Sequence, residues 1–210
     1  GIGSPLGPEW QALDIDTKTR GRRTDESLEI IARLWREESV DFAGKYYRLS
    51  GASVSPRPVQ PDLPMWIGGS SDAAVRRTAR YGTGWQGGAE GPAEAGRVVA
   101  AIKQALAGMG RSIDEDHYGA AFPFYFGKAT DGVVSGAMAA YAKRTNRDPA
   151  RYFAIGDETA VLDRIAEYVD VGVQKFILRP VGDGASVLAQ TRLLIEKVLP
   201  RVGAKWPKAA

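Results

Sequence analysis

The segment at residues 64–88 constrains the fold of this chain more than any other feature. A short apolar run at residues 65–67 is typical of a buried strand, and Gly-Gly-Ser-Ser at residues 68–71 follows it directly. A helix is predicted over residues 71–81, and Gly82 stops it. Small residues let a ligand approach the backbone, and a helix start offers unpaired N–H groups. The segment therefore predicts a strand–turn–helix unit with an anion pocket at its turn.

The same alternation of strand and helix continues to the end of the chain. Further strands are predicted around Trp85 and at residues 120–128 and 175–179, the last one apolar enough to be buried on both faces. Helices are predicted at residues 92–107, 132–143, 158–170 and 185–199. Such alternation favours an α/β fold with a parallel sheet and right-handed crossovers. The four convincing strands of barrel type, near residues 66, 85, 124 and 177, fit half of an eight-stranded barrel.

The part of the chain before residue 64 is predicted to be less regular. Residues 4–24 are interpreted as a loop, and a helix is expected from about residue 25 to residue 37, capped by Thr24 or Asp25. A hairpin is predicted at residues 40–49. Residues 55–64 contain four prolines, which forbid a helix and favour an extended strap.

Composition narrows the function classes. A length of 210 residues suits one sizeable domain, and a net charge of +3 without a long basic block argues against a nucleic-acid partner. No apolar stretch approaches the roughly 20 residues that span a membrane, and no signal peptide is visible. The absence of cysteine excludes disulfides and thiolate metal sites and fits a reducing, cytoplasmic location.

Five segments, taken in order, resemble the luciferase-like flavin-dependent monooxygenases and oxidoreductases. They are GRRTDESLEII at residues 21–31, FAGKYY at 42–47, PRPVQ at 56–60, WIGGSS at 66–71 and GVQKFILRP at 172–180. The resemblance implies a (β/α)8 TIM barrel. Residues 1–210 would be a single domain covering about the C-terminal half to two-thirds of that barrel, strands 5–8, with the N-terminal strands missing.

The resemblance also implies an enzyme. Reduced FMN, or a deazaflavin coenzyme, would bind at the C-terminal mouth of the barrel and act on a small organic substrate. The monooxygenase branch would use oxygen, and the deazaflavin branch would transfer hydride instead. The catalytic residues stay unknown, because they would lie upstream of Gly1. A non-catalytic, flavin-binding partial barrel completed by dimerisation is the alternative, and a homodimer is expected.

The resemblance assigns the coenzyme phosphate to one loop. Gly68, Gly69, Ser70 and Ser71 would hold the phosphate beside the helix start, which agrees with the preference of helix N-termini for anions. The alternative is that Ser70 or Ser71 is only a helix N-cap. Two glycines directly after a buried strand favour the phosphate.

Three more residues are candidates for coenzyme contact. Gly84 and Trp85 are placed by the resemblance where the next strand opens toward the same mouth, although Trp85 could equally be core. Arg179 ends the last strand, on the face where barrel enzymes place their active site. A phosphate or substrate contact and a structural ion pair are both open for it.

No metal site and no catalytic histidine are predicted. His117 is the only histidine, and it precedes a strand, at the end of a barrel associated with stability. One histidine among Asp114, Glu115 and Asp116 is a poor ligand set for a metal. The chain also begins with Gly1 rather than methionine, so a fragment or an incomplete record is a third expectation.

Overall fold

The first described part of the chain is helical rather than irregular. A computed structural model describes residues 9–60 and 63–206, so the predicted loop at residues 4–8 and residues 61–62 of the strap lie outside it. Helix α1, Glu9–Ala12, and a 3-10 turn, Thr17–Thr19, precede helix α2, Arg20–Arg36. The predicted loop is therefore wrong for residues 9–12 and 17–24, and it is confirmed for residues 13–16.

Helix α2 begins at Arg20, before its predicted start. The hydroxyl of Thr24 donates to the carbonyl of Arg20 at 2.8 Å, inside the helix, and Asp25 pairs with Arg77 at 2.5 Å. Both residues were predicted as caps, but neither caps the helix. Apolar spacing marks only the part of a helix that faces a packing partner, and the basic first turn carries no such signal.

The predicted hairpin is confirmed. Strand β1, Val40–Ala43, pairs antiparallel with strand β2, Arg48–Ala52. The carboxylate of Glu26 in α2 accepts hydrogen bonds from the backbone N–H groups of the turn, at 2.8 Å from Lys45, 2.9 Å from Tyr46 and 3.0 Å from Tyr47. One side chain thereby ties the hairpin to the helix.

A parallel sheet forms the centre of the molecule. Its strands are β3, Trp66–Gly68; β4, Gly84–Gln86; β5, Tyr118–Phe126; β6, Ala154–Gly156; and β7, Lys175–Pro180. The order is β3-β4-β5-β6, with β7 also paired to β5. All of these pairings are parallel, which confirms the four strands predicted from the sequence.

Helices alternate with these strands as predicted. They are α3, Asp72–Tyr81; α4, Pro92–Ala107; α5, Gly132–Thr145; α6, Glu158–Val169; α7, Gly184–Leu193; a π-helical turn, Leu194–Val198; and α8, Leu199–Lys205. No helix within residues 9–60 and 63–206 is long and apolar enough to cross a membrane.

Strand β5 is the longest strand and has partners on both edges. Gly119 pairs with Gln86 of β4 and with Lys175 of β7, so these two strands lie on opposite edges of β5. Farther along, Phe124 pairs with Ala154 of β6 and with Pro180 of β7. Strands β4 and β6 therefore share one edge of β5, one after the other.

The two faces of the sheet differ in exposure. Trp85, Phe122 and Phe124 are fully buried on the face that the helices cover. On the other face, Ile177 is 52% exposed, and Arg179 is exposed as well. The prediction that this strand is buried on both faces is wrong, because no element of the described chain covers the second face.

The sheet is open at both ends. Strands β3 and β7 each have one partner within the described residues, so these residues form an open parallel sheet rather than a closed barrel. The fold is α/β, and the expectation of a barrel has to be corrected to this extent.

Candidate functional site

The loop between β3 and α3 lies at the carboxyl end of its strand. Gly68, Gly69 and Ser71 are exposed, and Ser70 is half-buried. Gly69 has φ +99°, a conformation that L side chains rarely adopt, and a Cβ there would lie 3.3 Å from the Cβ of Ala74. The loop can keep this shape only with glycine at that position.

The start of helix α3 offers hydrogen-bond donors. Ser71 is the N-cap: its hydroxyl oxygen accepts from Ala74 N at 3.3 Å, and its carbonyl accepts from Val75 N at 3.0 Å. The amides of Asp72 and Ala73 have no partner inside the helix. The cap interpretation is thus confirmed for Ser71, and its hydroxyl hydrogen stays available because the cap uses only the oxygen.

The neighbouring Ser70 is placed differently. Ser70 is half-buried and lies beside the carboxylate of Glu90, in the loop after β4, where it helps to lower the pKa of that carboxyl. Ser71 is exposed, so its hydroxyl is the more open of the two to an anion.

Glu90 is a functional candidate that the sequence analysis missed. Its side chain is buried, and one oxygen accepts from Gly88 N at 2.8 Å and from Ala89 N at 3.0 Å. Burial alone would raise the pKa of Glu90, but the hydrogen bonds from Ala89, Ser70 and Gly88 outweigh it and leave the pKa lowered. The group is therefore a buried carboxylate that stays ionised at neutral pH.

Three tyrosines hold the loop that carries Glu90, which we call the clamped loop (residues 87–91). Each tyrosine donates its hydroxyl to one of three consecutive carbonyls. The pairs are Tyr152 with Gly88 at 2.6 Å, Tyr141 with Ala89 at 3.0 Å and Tyr168 with Glu90 at 2.6 Å. With both its amides and its carbonyls engaged, this loop is fixed relative to the sheet.

Gly84 and Trp85 lie within strand β4 rather than in the loops that follow the strands. Gly84 begins β4, and a Cβ there would lie 2.6 Å from the ring of Trp66. Trp85 is fully buried, and its Nε1 donates to the carbonyl of Gly69 at 2.9 Å. Trp85 therefore belongs to the core and supports the candidate phosphate loop from beneath.

Arg179 joins the clamped loop from the last strand. Its Nη2 donates to the carbonyl of Gly88 at 3.2 Å and also contacts the hydroxyl of Tyr152. The described residues supply no ion pair for Arg179, so the predicted structural ion pair is not observed. The guanidinium instead bridges the end of β7 and the loop after β4.

The acids around His117 lie at the opposite end of the sheet. One ligand atom each from Asp114, Asp116 and His117 lies within 4.8 Å of the others. Asp116 already forms an ion pair with Lys175 at 3.1 Å, and His117 Nδ1 hydrogen bonds to the carbonyl of Thr83 at 2.8 Å. These contacts account for the cluster without a metal ion.

The structure thus brings part of the predicted site together. The loop of Gly68 and Ser71 lies at the carboxyl end of β3 and is joined to β4 through Trp85, and Arg179 reaches the clamped loop from the end of β7. At the start of α3 the chain presents amides and the hydroxyl of Ser71. Such groups can bind and orient an anionic ligand at the edge of the sheet.

Sequence comparison relates this chain to known proteins. The sequence pattern of the family described as luciferase-like monooxygenase matches residues 1–152. The protein Rv0940c of Mycobacterium tuberculosis is 35% identical over 105 residues, which are 50% of this chain and 36% of that protein. An F420-dependent glucose-6-phosphate dehydrogenase of Microbacterium testaceum is 26% identical over 222 residues, covering 94% of this chain and 64% of the relative.

Solved structures share the fold. The monooxygenase RslO1 from Streptomyces bottropensis superposes with a TM-score of 0.74 at 19% identity, covering 94% of this chain and 66% of that one. An F420-dependent secondary alcohol dehydrogenase with an F420-acetone adduct gives 0.71 at 16% identity, covering 88% and 62%. The oxygenating constituent of 3,6-diketocamphane monooxygenase from Pseudomonas putida, in complex with FMN, gives 0.67 at 16% identity, covering 96% and 69%.

The matches cover a larger share of this chain than of its relatives. The chain spans 36% and 64% of the lengths of the two relatives named above. At these identities the solved structures establish the α/β fold alone. The family match covers well over half of the 210 residues, and on that ground the chain belongs to the luciferase-like monooxygenase family.

Proposed function

We propose that this chain is the phosphate-binding part of a flavin- or deazaflavin-dependent oxidoreductase that acts on a small organic substrate. The observation that carries the proposal is the exposed loop of Gly68 to Ser71, which ends a parallel strand beside free helix amides. The named relatives support it, since one depends on F420 and one solved structure contains FMN.

The described residues fit a phosphate group. The amides of Asp72 and Ala73 and the hydroxyl of Ser71 would hold its oxygens, and the helix dipole favours the negative charge. Gly68 and Gly69 leave the approach free, since neither has a side chain. A Cβ at Gly68 would also lie 3.1 Å from the carbonyl oxygen of Gln86.

The chain's own residues bind and orient the coenzyme. Trp85 fixes the position of Gly69 through its indole N–H, and the clamped loop places Glu90 beside Ser70. When bound, the coenzyme itself supplies the redox chemistry, either hydride transfer or reaction of reduced flavin with oxygen. We assign the monooxygenase or hydride-transfer step to residues beyond those described.

We further propose that β3, β4, β5 and β7 correspond to strands 5–8 of a TIM barrel whose mouth holds the coenzyme. Two sheet edges without partners in the described chain favour association with a further polypeptide. A cytoplasmic homodimer is the form that we expect.

Titration of the purified protein with FMN and with F420, followed by fluorescence, tests the proposal. Ser71→Ala removes a charge-assisted hydrogen bond worth about 1.5 kcal/mol, so it should weaken coenzyme binding about tenfold. Ser70→Ala is the matched control, because Ser70 is half-buried beside Glu90 and is not the helix cap. This change should weaken binding about twofold to threefold.

Failure of both coenzymes to bind more tightly than riboflavin would refute the proposal. Equal losses in the two serine variants would remove Ser71 from the phosphate site.

A further inference from the structure

We propose that the anion site selects a coenzyme whose phosphate is a diester with one negative charge, as in a deazaflavin coenzyme, over the phosphate monoester of FMN. We assign this preference to Glu90. The inference rests on the proposed function, since it concerns the same loop, and it decides between the two coenzyme classes that the function leaves open.

The donors of the loop are neutral groups. They are the amides of Asp72 and Ala73 and the hydroxyl of Ser71. Within residues 9–60 and 63–206, no lysine or arginine forms a hydrogen bond or ion pair with any residue of 68–72. The positive end of helix α3 amounts to about half an elementary charge, which matches a single negative charge better than two.

Two carboxylates lie beside these donors. Asp72 is exposed in the first turn of α3, so solvent screens much of its charge. Glu90 is 7% exposed and lies beside Ser70, the residue next to Ser71. Charges that are buried act over longer distances than exposed ones, so Glu90 contributes more of the repulsion.

The charge of Glu90 is stabilised but not cancelled. Its carboxylate accepts from two backbone amides, and the described residues provide no ion pair for it. The nearest cation in this hydrogen-bond network is Arg179, which contacts the Gly88 carbonyl and the Tyr152 hydroxyl. The hydroxyls of Tyr141, Tyr152 and Tyr168 complete the surroundings and are neutral, since burial raises the pKa of each.

Phosphate esters differ in charge in a way that this site can sense. A monoester loses its second proton near pH 6 and is doubly charged at pH 8. A diester has no second proton and carries one charge throughout. A buried carboxylate beside the site therefore disfavours the monoester increasingly as the pH rises, while its effect on the diester stays constant.

Two matched probes test the inference by binding alone. They are FMN and its monomethyl phosphate ester, which share the ring and the ribityl chain and differ in phosphate charge and by one methyl group. Quenching of flavin fluorescence gives Kd for each at pH 5.5 and pH 8.0. At pH 8.0 the ester should bind about tenfold more tightly than FMN, and at pH 5.5 the ratio should fall to about two or less.

Glu90→Gln should reduce the ratio at pH 8.0 to about threefold or less. The glutamine carbonyl can still accept from Gly88 and Ala89, so the loop should keep its shape. If this variant does not fold, Asp72→Asn, at an exposed position, should lower the ratio by a smaller factor. His117→Asn is the control for the only histidine, which lies at the other end of β5, and it should leave the ratio unchanged.

Three results would overturn the inference while leaving the proposed function standing. One is FMN binding as tightly as the ester at pH 8.0, and another is an unchanged ratio in Glu90→Gln. The third is a selective loss of FMN binding in Arg179→Met, which would show that a cation faces the phosphate. If neither probe binds more tightly than riboflavin, the proposed function fails as well.

Discussion

The hydroxyl of Tyr168 provides the sharpest test of the clamped loop. Tyr168 is fully buried, its hydroxyl donates to the carbonyl of Glu90 at 2.6 Å, and its ring stacks on Phe122 at 5.5 Å. Tyr168→Phe keeps the ring and its packing but removes the only hydrogen bond to that carbonyl within the described residues. A buried carbonyl without a partner costs about 1–3 kcal/mol, so we expect a loss of about 2 kcal/mol in the free energy of unfolding.

The other two tyrosines are matched controls. The carbonyl of Gly88 also accepts from Arg179 at 3.2 Å, and the carbonyl of Ala89 also accepts from Arg147 at 3.4 Å. Each carbonyl keeps one donor after Tyr152→Phe or Tyr141→Phe, so these changes should cost about 1 kcal/mol or less. Urea unfolding with an unchanged m-value measures all three. A loss for Tyr168→Phe that is no larger than the losses in the two controls would refute this reasoning.

Three further perturbations address the loops and the hairpin. Partial desolvation raises the pKa of Glu26, but the turn amides at residues 45–47 and the charge of Arg23 outweigh it, so the pKa is lowered. The stabilising effect of the Glu26 carboxylate is present at pH values above about 4.5, its ordinary pKa, and is lost as the pH falls below that value. The difference in unfolding free energy between wild type and Glu26→Gln should therefore shrink at low pH. Gly69→Ala forces a side chain into a left-handed conformation and should cost about 1–2 kcal/mol in urea unfolding, with Gly88→Ala, where a Cβ meets open space, as control. Trp85→Phe removes the N–H that holds Gly69 and should weaken coenzyme binding in the fluorescence titration, which an unchanged Kd would contradict.

The strands and helices were predictable because their signals are local. The apolar run before Gly68, the cap at Ser71 and the stop at Gly82 each lie within a few residues of the element they define. Helix α4 has the predicted bounds, since Pro92 begins it and Gly108 follows its last residue. Local signals of this kind do not depend on how the elements pack.

Strand β6 and the start of α2 were missed for the opposite reason. Strand β6 has only three residues and is a strand because the edge of β5 continues past the end of β4. The first turn of α2 is rich in arginine and has no apolar spacing. Both depend on partners distant in sequence, which single-sequence patterns do not reveal.

The candidate site was likewise predictable from local signals only in part. Gly68 and Gly69 were recognisable from their position after a strand. The different placement of Ser70 and Ser71 could not be recognised from the sequence, because it depends on Glu90. The position of Glu90 depends in turn on the clamped loop, whose tyrosine donors lie 52 to 78 positions away from their acceptors. The glycines around Glu90 were a possible signal, since an acid between glycines at a strand end is unusual for a solvated loop.

The double-sided pairing of β5 has a consequence for how the molecule opens. Residues 119–124 of β5 pair with β7 on one edge, while on the other edge β4 pairs at residues 118–119 and β6 at residues 124–126. The amides of β5 that face β7 can exchange hydrogen with solvent only when these two strands separate, whereas the edge strand β3 needs only a local opening. We therefore expect the amides between β5 and β7 to be among the last in the sheet to lose their protection.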